Sequence, residues 1–199
     1  MSLLPEAISP AQFFAISWNC PKTESLKKSK KYCLPSTTHL FSEMEFSELY
    51  MGWSQEQISM IVEVSGRSDE DIVDLFFDTR DLKTKSTITK FCHHFRFTPE
   101  REEGYFGHEM TYFQGDDSHP LAFSKDLQIE VKSNSRSYQL KIELPSFCLF
   151  GYDPEQFPRM GFTYRIGRGS LPAQHFSVSD DEFSVEKNPS LWGTINLIK

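Results

Sequence analysis

Residues 57–79 read QISMIVEVSGRSDEDIVDLFFDT. In the first eight, Ile58, Met60, Val62 and Val64 alternate with Ser59, Ile61 and Glu63. A period of two places successive side chains on opposite faces of an extended strand. Gly66-Arg67-Ser68-Asp69 reads as the turn that closes it. Residues 72–79 alternate again, with Val73, Leu75 and Phe77 on one face and Ile72, Asp74, Phe76 and Asp78 on the other. Both faces carry large apolar groups, so this strand is expected in the middle of a sheet covered on both sides.

The same period recurs on either side. Strands are expected over 13–20, 44–53, 91–97, 127–132, 137–144, 160–167 and 191–198, with a further short one around Met110–Phe113. Ser133-Asn134-Ser135-Arg136 between two of them reads as a hairpin loop. A short helix is expected near Pro154–Phe157, and no segment carries a helical period longer than two turns. About nine short strands with turn signals between them predict an all-β protein, an antiparallel two-sheet β-sandwich of jelly-roll or immunoglobulin-like type. Long loops and at most short helices complete it. We read residues 1–199 as one domain, with 21–37 a basic polar loop inside it.

Bulk properties agree. A chain of 199 residues can enclose one sizeable core, and its 18 phenylalanines fit a two-sheet interior filled by large flat groups. The net charge of -7 argues against nucleic acid as a partner. There is no long apolar run for a membrane span and no export signal at the start, so the expectation is a cytoplasmic protein. Cys20, Cys33, Cys92 and Cys148 form no CxxC pair, so free thiols are expected, with a Cys20–Cys33 bridge as the alternative. The sequence carries no Gly-rich phosphate loop, GxSxG elbow or HExxH helix, and we expect a binding protein rather than an enzyme. It does not disclose the oligomeric state.

The candidate site lies on three strands. Asp74 stands among apolar neighbours on 72–79, His94 and Arg96 share a face of 91–97, and Thr163 and Arg165 share a face of 160–167. If the three strands are neighbours, an acid, two arginines and a histidine converge. A buried carboxylate needs a partner, and Arg96 or Arg165 can supply it. Such a pair serves equally as a structural ion pair or as part of a ligand site. His93 and His94 point to opposite faces and cannot hold one ion; His94 with His108 or His175 is the alternative pair, and no spacing favours it. The acidic strings Asp69–Asp71, Asp116-Asp117 and Asp180–Glu182 match no defined calcium loop and read as solvated turns. No cofactor is therefore assigned, structural calcium being the one conceivable exception. Trp192 with Phe162 and Phe176 reads as core, and Trp53 as a rim aromatic. Lys22, Lys27, Lys28, Lys30 and Lys31 crowd into the basic loop, which is either solvated or a dock for an acidic partner.

Three segments in order resemble family 9 carbohydrate-binding modules and the wider DOMON-like sandwich group. They are SELYMGWSQEQISMIVEV (47–64), DEDIVDLFFDTRD (69–81), and MGFTYRIGR (160–168) followed by NPSLWGTINL (188–197). The resemblance covers roughly residues 38–199 and implies a β-sandwich that holds a sugar between aromatic faces, with charged side chains on its hydroxyls. It implies that Asp74 and Arg96 take the places of a strand carboxylate and a strand arginine that contact sugar, and that Thr163 or Arg165 takes that of a polar contact. Where that family has its first sandwiching tryptophan, this sequence has Ser68. The second falls in Asp181–Lys187, where Phe183 is the aromatic available.

Two functions follow. One is a non-catalytic module that binds a carbohydrate or other small polar ligand through Asp74, Arg96, Thr163, Arg165, His94 and Phe183. The other is a protein-interaction domain that keeps the sandwich without a sugar site, which Ser68 and the lysine loop favour.

Overall fold

The computed structural model describes residues 16–66, 68, 70–180 and 183–199. Parts of the expected first strand, of the turn at 66–69 and of the acidic string at 180–182 lie outside the described residues. Among the described residues eleven strands occur in two sheets. In chain order they are β1 (Ser17–Pro21), β2 (Ser47–Trp53), β3 (Gln57–Ser65), β4 (Ile72–Asp78), β5 (Cys92–Glu102), β6 (Tyr105–Glu109), β7 (Gln128–Ser133), β8 (Ser137–Pro145), β9 (Arg159–Arg168), β10 (Leu171–His175) and β11 (Gly193–Ile198). One single-turn helix, α1 (Thr38–Phe41), precedes β2. The four-stranded sheet runs β2-β3-β8-β7. The seven-stranded sheet runs β1-β11-β9-β4-β5-β6, and β10 pairs with the far end of β9 beyond β11. The ladders are antiparallel except β1 on β11. This is an all-β sandwich. No described helix is long and apolar enough to cross a membrane.

The alternation read from 57–79 builds the interior. Ile58, Met60, Val62 and Val64 of β3 meet Val73, Leu75 and Phe77 of β4 across the space between the sheets, with Phe95 and Phe97 of β5 and Phe162 of β9 alongside. Each buried phenylalanine contributes about 1.5–3 kcal/mol relative to an exposed one. The outer face of the seven-stranded sheet is covered too. There Phe76 and Cys92 pack with Val178, Val185, Leu191 and Trp192 from the segment between β10 and β11. That explains why β4 is apolar on both faces.

Several boundaries differ from the sequence reading. The short strand lies at 105–109, not at Met110–Phe113, because Glu103 and Gly104 both take positive φ (51° and 91°) and turn β5 straight back into β6. Residues 154–156 form a turn and no helix, and Pro158 biases the residue before it away from helical backbone. β10 and α1 were not anticipated. Trp53 is core, not rim: it is 4% exposed, and its indole N–H donates to the carbonyls of Cys20 and Ile198, both at 3.0 Å. Trp192 belongs to the outer cluster, while Phe162 and Phe176 belong to the main core. All four cysteines are free.

The basic loop is tied to the sandwich edge rather than loose. Leu26 and Leu34 are buried, and bridges join Lys22 to Trp53 and Cys33 to Tyr50. Its lysines stay exposed, with Lys28 paired to Glu63 at 2.6 Å.

Candidate functional site

Strand register decides the centre of the site. Asp74 of β4 lies directly opposite Arg96 of β5 on one side and Arg165 of β9 on the other. The three face away from the main core, on the outer side of the seven-stranded sheet. The Asp74 side chain is 2% exposed. Arg96 donates through Nε to Oδ1 at 2.8 Å and through Nη2 to Oδ2 at 3.0 Å, a bidentate fork. Arg165 donates through Nε and Nη2 to Oδ2 at 3.0 and 2.7 Å. His94 donates from Nε2 to Oδ1 at 3.0 Å while its ring stacks on Phe76 at 4.3 Å. Burial pushes the Asp74 carboxyl up, but the hydrogen bonds from His94 and Arg96 and the charge of Arg165 overcome it and hold the group well below the usual carboxylate range.

The network continues past Arg165. Its Nη1 donates to Asp180, and its Nη2 lies 3.5 Å from Glu186. His175, at the end of β10, lies 3.6 Å from Asp180 and pairs with Glu43 at 2.7 Å. Arg165 thus has an acceptor for each of its nitrogens, whereas Arg96 uses Nε and Nη2 and has no partner for Nη1 among the described residues. Thr163 is fully buried, and its hydroxyl donates to the Phe176 carbonyl, so it faces no open space. Phe183 is half-buried against the outer apolar cluster.

Arg96 and His94 form part of the floor of a cleft of about 560 Å³. Phe76 completes the floor. One wall is the stretch Met110–Gln114, the opposite wall holds Ser184 and Glu186–Asn188, and Ser86–Ile88 closes one end. Tyr112 stands on the first wall, 76% exposed. The sequence reading put Arg96 and His94 here but missed Tyr112, Glu186, Lys187 and Asn188. Tyr112 and Asn188 sit on loops and Glu186 and Lys187 on a single 3-10 turn (Val185–Lys187), none with a period, and the clue available for 186–187 was their place in the segment matching the second tryptophan. Asp74 and Arg165 lie under and beside the cleft rather than on its surface, and Ser68 lies against Gly169, not on its lining.

Asp116 and Asp117 are exposed, and Asp180 is occupied by Arg165 and the backbone N–H of Val185. Among the described residues, the side chains placed to share one ion are His93, Glu109 and His119.

Two structures of a family 9 carbohydrate-binding module from Caldicellulosiruptor kristjanssonii, one in complex with glucose and one with cellotriose, are similar to this chain. Their TM-scores are 0.59 and 0.57 at 14% identity, over 91% and 92% of this chain and 95% and 93% of theirs. The chain has the family 9 carbohydrate-binding-module fold. A Bacteroides uniformis protein, provisionally described as carbohydrate-binding, shares the fold with a TM-score of 0.52 at 11% identity, over 92% of this chain and 99% of its own. No family model matches the sequence, and no curated protein matches it. On the family 9 fold, the two positions that the sequence resemblance assigned to a carboxylate and an arginine are bonded to one another, and the arginine reaches the cleft.

Proposed function

We propose that this chain is a non-catalytic carbohydrate-binding domain whose ligand lies in the cleft above Phe76, between Tyr112 and residues 184–188. The observation that carries the reading is Arg96: a guanidinium clamped by a buried carboxylate, with one nitrogen left over on the floor of a cleft whose wall bears an exposed tyrosine. A pyranose has an apolar C–H face and a rim of hydroxyls. The tyrosine ring suits the first, and a fixed planar donor with Glu186 and Asn188 across the cleft suits the second. Asp74 and His94 then act as positioning residues for Arg96, and Arg165 holds Asp74 from the far side. The solved structures with glucose and cellotriose on the same fold give the first ligands to try.

Calorimetric titration with glucose, cellotriose and a panel of other oligosaccharides tests this. Saturable binding is expected, weakened by Tyr112→Ala by about 5- to 150-fold, the equivalent of a lost stacking contact of about 1–3 kcal/mol. Arg96→Ala is expected to abolish it while the circular dichroism of the fold persists. The oligosaccharide is expected to be recovered intact. Silence across the panel overturns the proposal.

A second reading is a protein-interaction domain. It is favoured by an exposed apolar patch in which Leu121, Phe123, Phe147 and Phe150 line one shallow groove. Under that reading Phe123→Ser with Phe147→Ser removes a specific protein partner, and Tyr112→Ala leaves it bound.

A further inference from the structure

The chain between β6 and β7 supplies the Tyr112 wall and is fastened to β5 by a buried cluster that meets the cleft lining at His93. His93 of β5, Glu109 at the end of β6 and His119 in the following loop have side chains at most 1% exposed. His93 Nδ1 lies 2.8 Å from Glu109 Oε1, and His119 Nε2 lies 3.5 Å from the same oxygen. The two imidazole rings are 4.4 Å apart.

The outer nitrogens face acceptors as well. His93 Nε2 lies 3.3 Å from the Phe150 carbonyl, and His119 Nδ1 lies 2.8 Å from the Pro120 carbonyl. All four ring nitrogens therefore face oxygens that only accept. A neutral imidazole has one N–H. Whichever tautomer each neutral ring takes, its other nitrogen turns a lone pair on an oxygen. His119 Nε2 also lies 3.2 Å from the Cys92 carbonyl, one more acceptor. Glu109 itself is oriented by Thr111, whose hydroxyl donates to Oε1 at 2.9 Å, and by the Ala122 N–H, which donates to Oε2 at 2.6 Å.

Acceptors outnumber protons where water is excluded, and such a place demands positive charge. One added proton satisfies one ring and leaves the other with a lone pair against an oxygen. One divalent ion satisfies all three groups together. We propose that His93, Glu109 and His119 bind a divalent transition-metal ion, zinc foremost. Two imidazoles and one carboxylate are a nitrogen-rich set that suits zinc, whereas calcium and magnesium take oxygen. Donation of each outer N–H to a main-chain carbonyl is the second shell that metal-binding histidines use. The three ligand atoms lie within 4.8 Å of one another. Ligand atoms of tetrahedral zinc sit about 3.3 Å apart, so closure around an ion opens the 2.8 Å His93–Glu109 contact by about half an ångström and draws the widest pair together by up to about 1.5 Å. The bound ion ties the 110–122 excursion to β5, a structural role that needs no ligand in the cleft.

The test uses the whole chain, stripped with a chelator and titrated with Zn2+, Ca2+ and Mg2+ in the absence of any sugar. One equivalent of Zn2+ is expected to bind and raise Tm, with no shift from Ca2+ or Mg2+. Co2+ in its place is expected to give visible d–d bands. Glu109→Gln and His119→Gln are each expected to lower Zn2+ affinity at least 100-fold. Should either variant fail to fold, the ring 15N shifts of His93 and His119 in the native chain decide: metal-bound nitrogens support the site, and imidazolium nitrogens that ignore Zn2+ overturn it. Zn2+ affinity unchanged in both folded variants overturns it equally.

Discussion

At Asp74 one buried carboxylate faces two guanidinium groups and a histidine, and the two arginines do different work. Arg165 is enclosed by Asp74, Asp180 and Glu186. Arg96, 28% exposed, spends two nitrogens on Asp74 and turns its remaining edge to the cleft. Removing the acid leaves both cations half-buried without their shared counter-charge. Breaking a buried pair from one side costs about 3–5 kcal/mol, so Asp74→Asn is expected to lose that much stability in urea denaturation. A loss under about 1 kcal/mol, the range of exposed pairs, shows that the arginines find other partners and that Asp74 does not hold them.

At the scale of elements, what was legible followed from period-two alternation. Residues 58–64 and 73–77 each show it, and once β4 is central with β5 and β9 on either side, Asp74, Arg96 and Arg165 fall on one face without further information. β10 was illegible because the buried residues of LPAQH include Gln174 and His175, polar groups that no pattern of apolar residues reveals. Tyr112 and Asn188 were illegible because loops position them, and the Glu43–His175 pair because 132 residues separate its members. Gln174 shows what such a strand contributes. Its Oε1 accepts the N–H groups of Phe46 and Ser47, both at 2.9 Å. Its Nε2 donates to the Ser47 carbonyl at 3.1 Å and to the Tyr164 hydroxyl at 3.0 Å. One amide thus bridges the edge of the seven-stranded sheet to β2 of the other. Gln174→Leu keeps the bulk but leaves two N–H groups and a carbonyl buried without partners, at about 1–3 kcal/mol for each such group. A drop of at least about 2 kcal/mol in urea stability is expected. A neutral result shows that water replaces the amide and that the bridge does not join the sheets.

Across the whole molecule, His175 ties the parts together. Glu43, just after α1, accepts both the His175 backbone N–H at 2.8 Å and Nδ1–H at 2.7 Å. Asp180 faces Nε2 from the segment that covers the outer sheet face, and Asp180 in turn is held by Arg165. Burial pushes the imidazole pKa down, but Asp180 and Glu43 more than reverse it and raise it from 6.5 to about 9. The folded state therefore prefers the protonated ring more strongly than the unfolded chain does. The stabilisation is complete below pH 6.5, where both states carry the proton, and it is lost as pH rises through about 9. A shift of that size corresponds to a few kcal/mol. Urea stability is expected to fall between pH 6.5 and 9 in the native chain, and the fall is expected to vanish in His175→Gln. The segment that Asp180 anchors continues into Ser184–Asn188, the far wall of the cleft, so ligand affinity should weaken over the same interval. A stability profile that is flat in the native chain, or equally sloped in the variant, would assign the linkage to another group and detach His175 from the cleft.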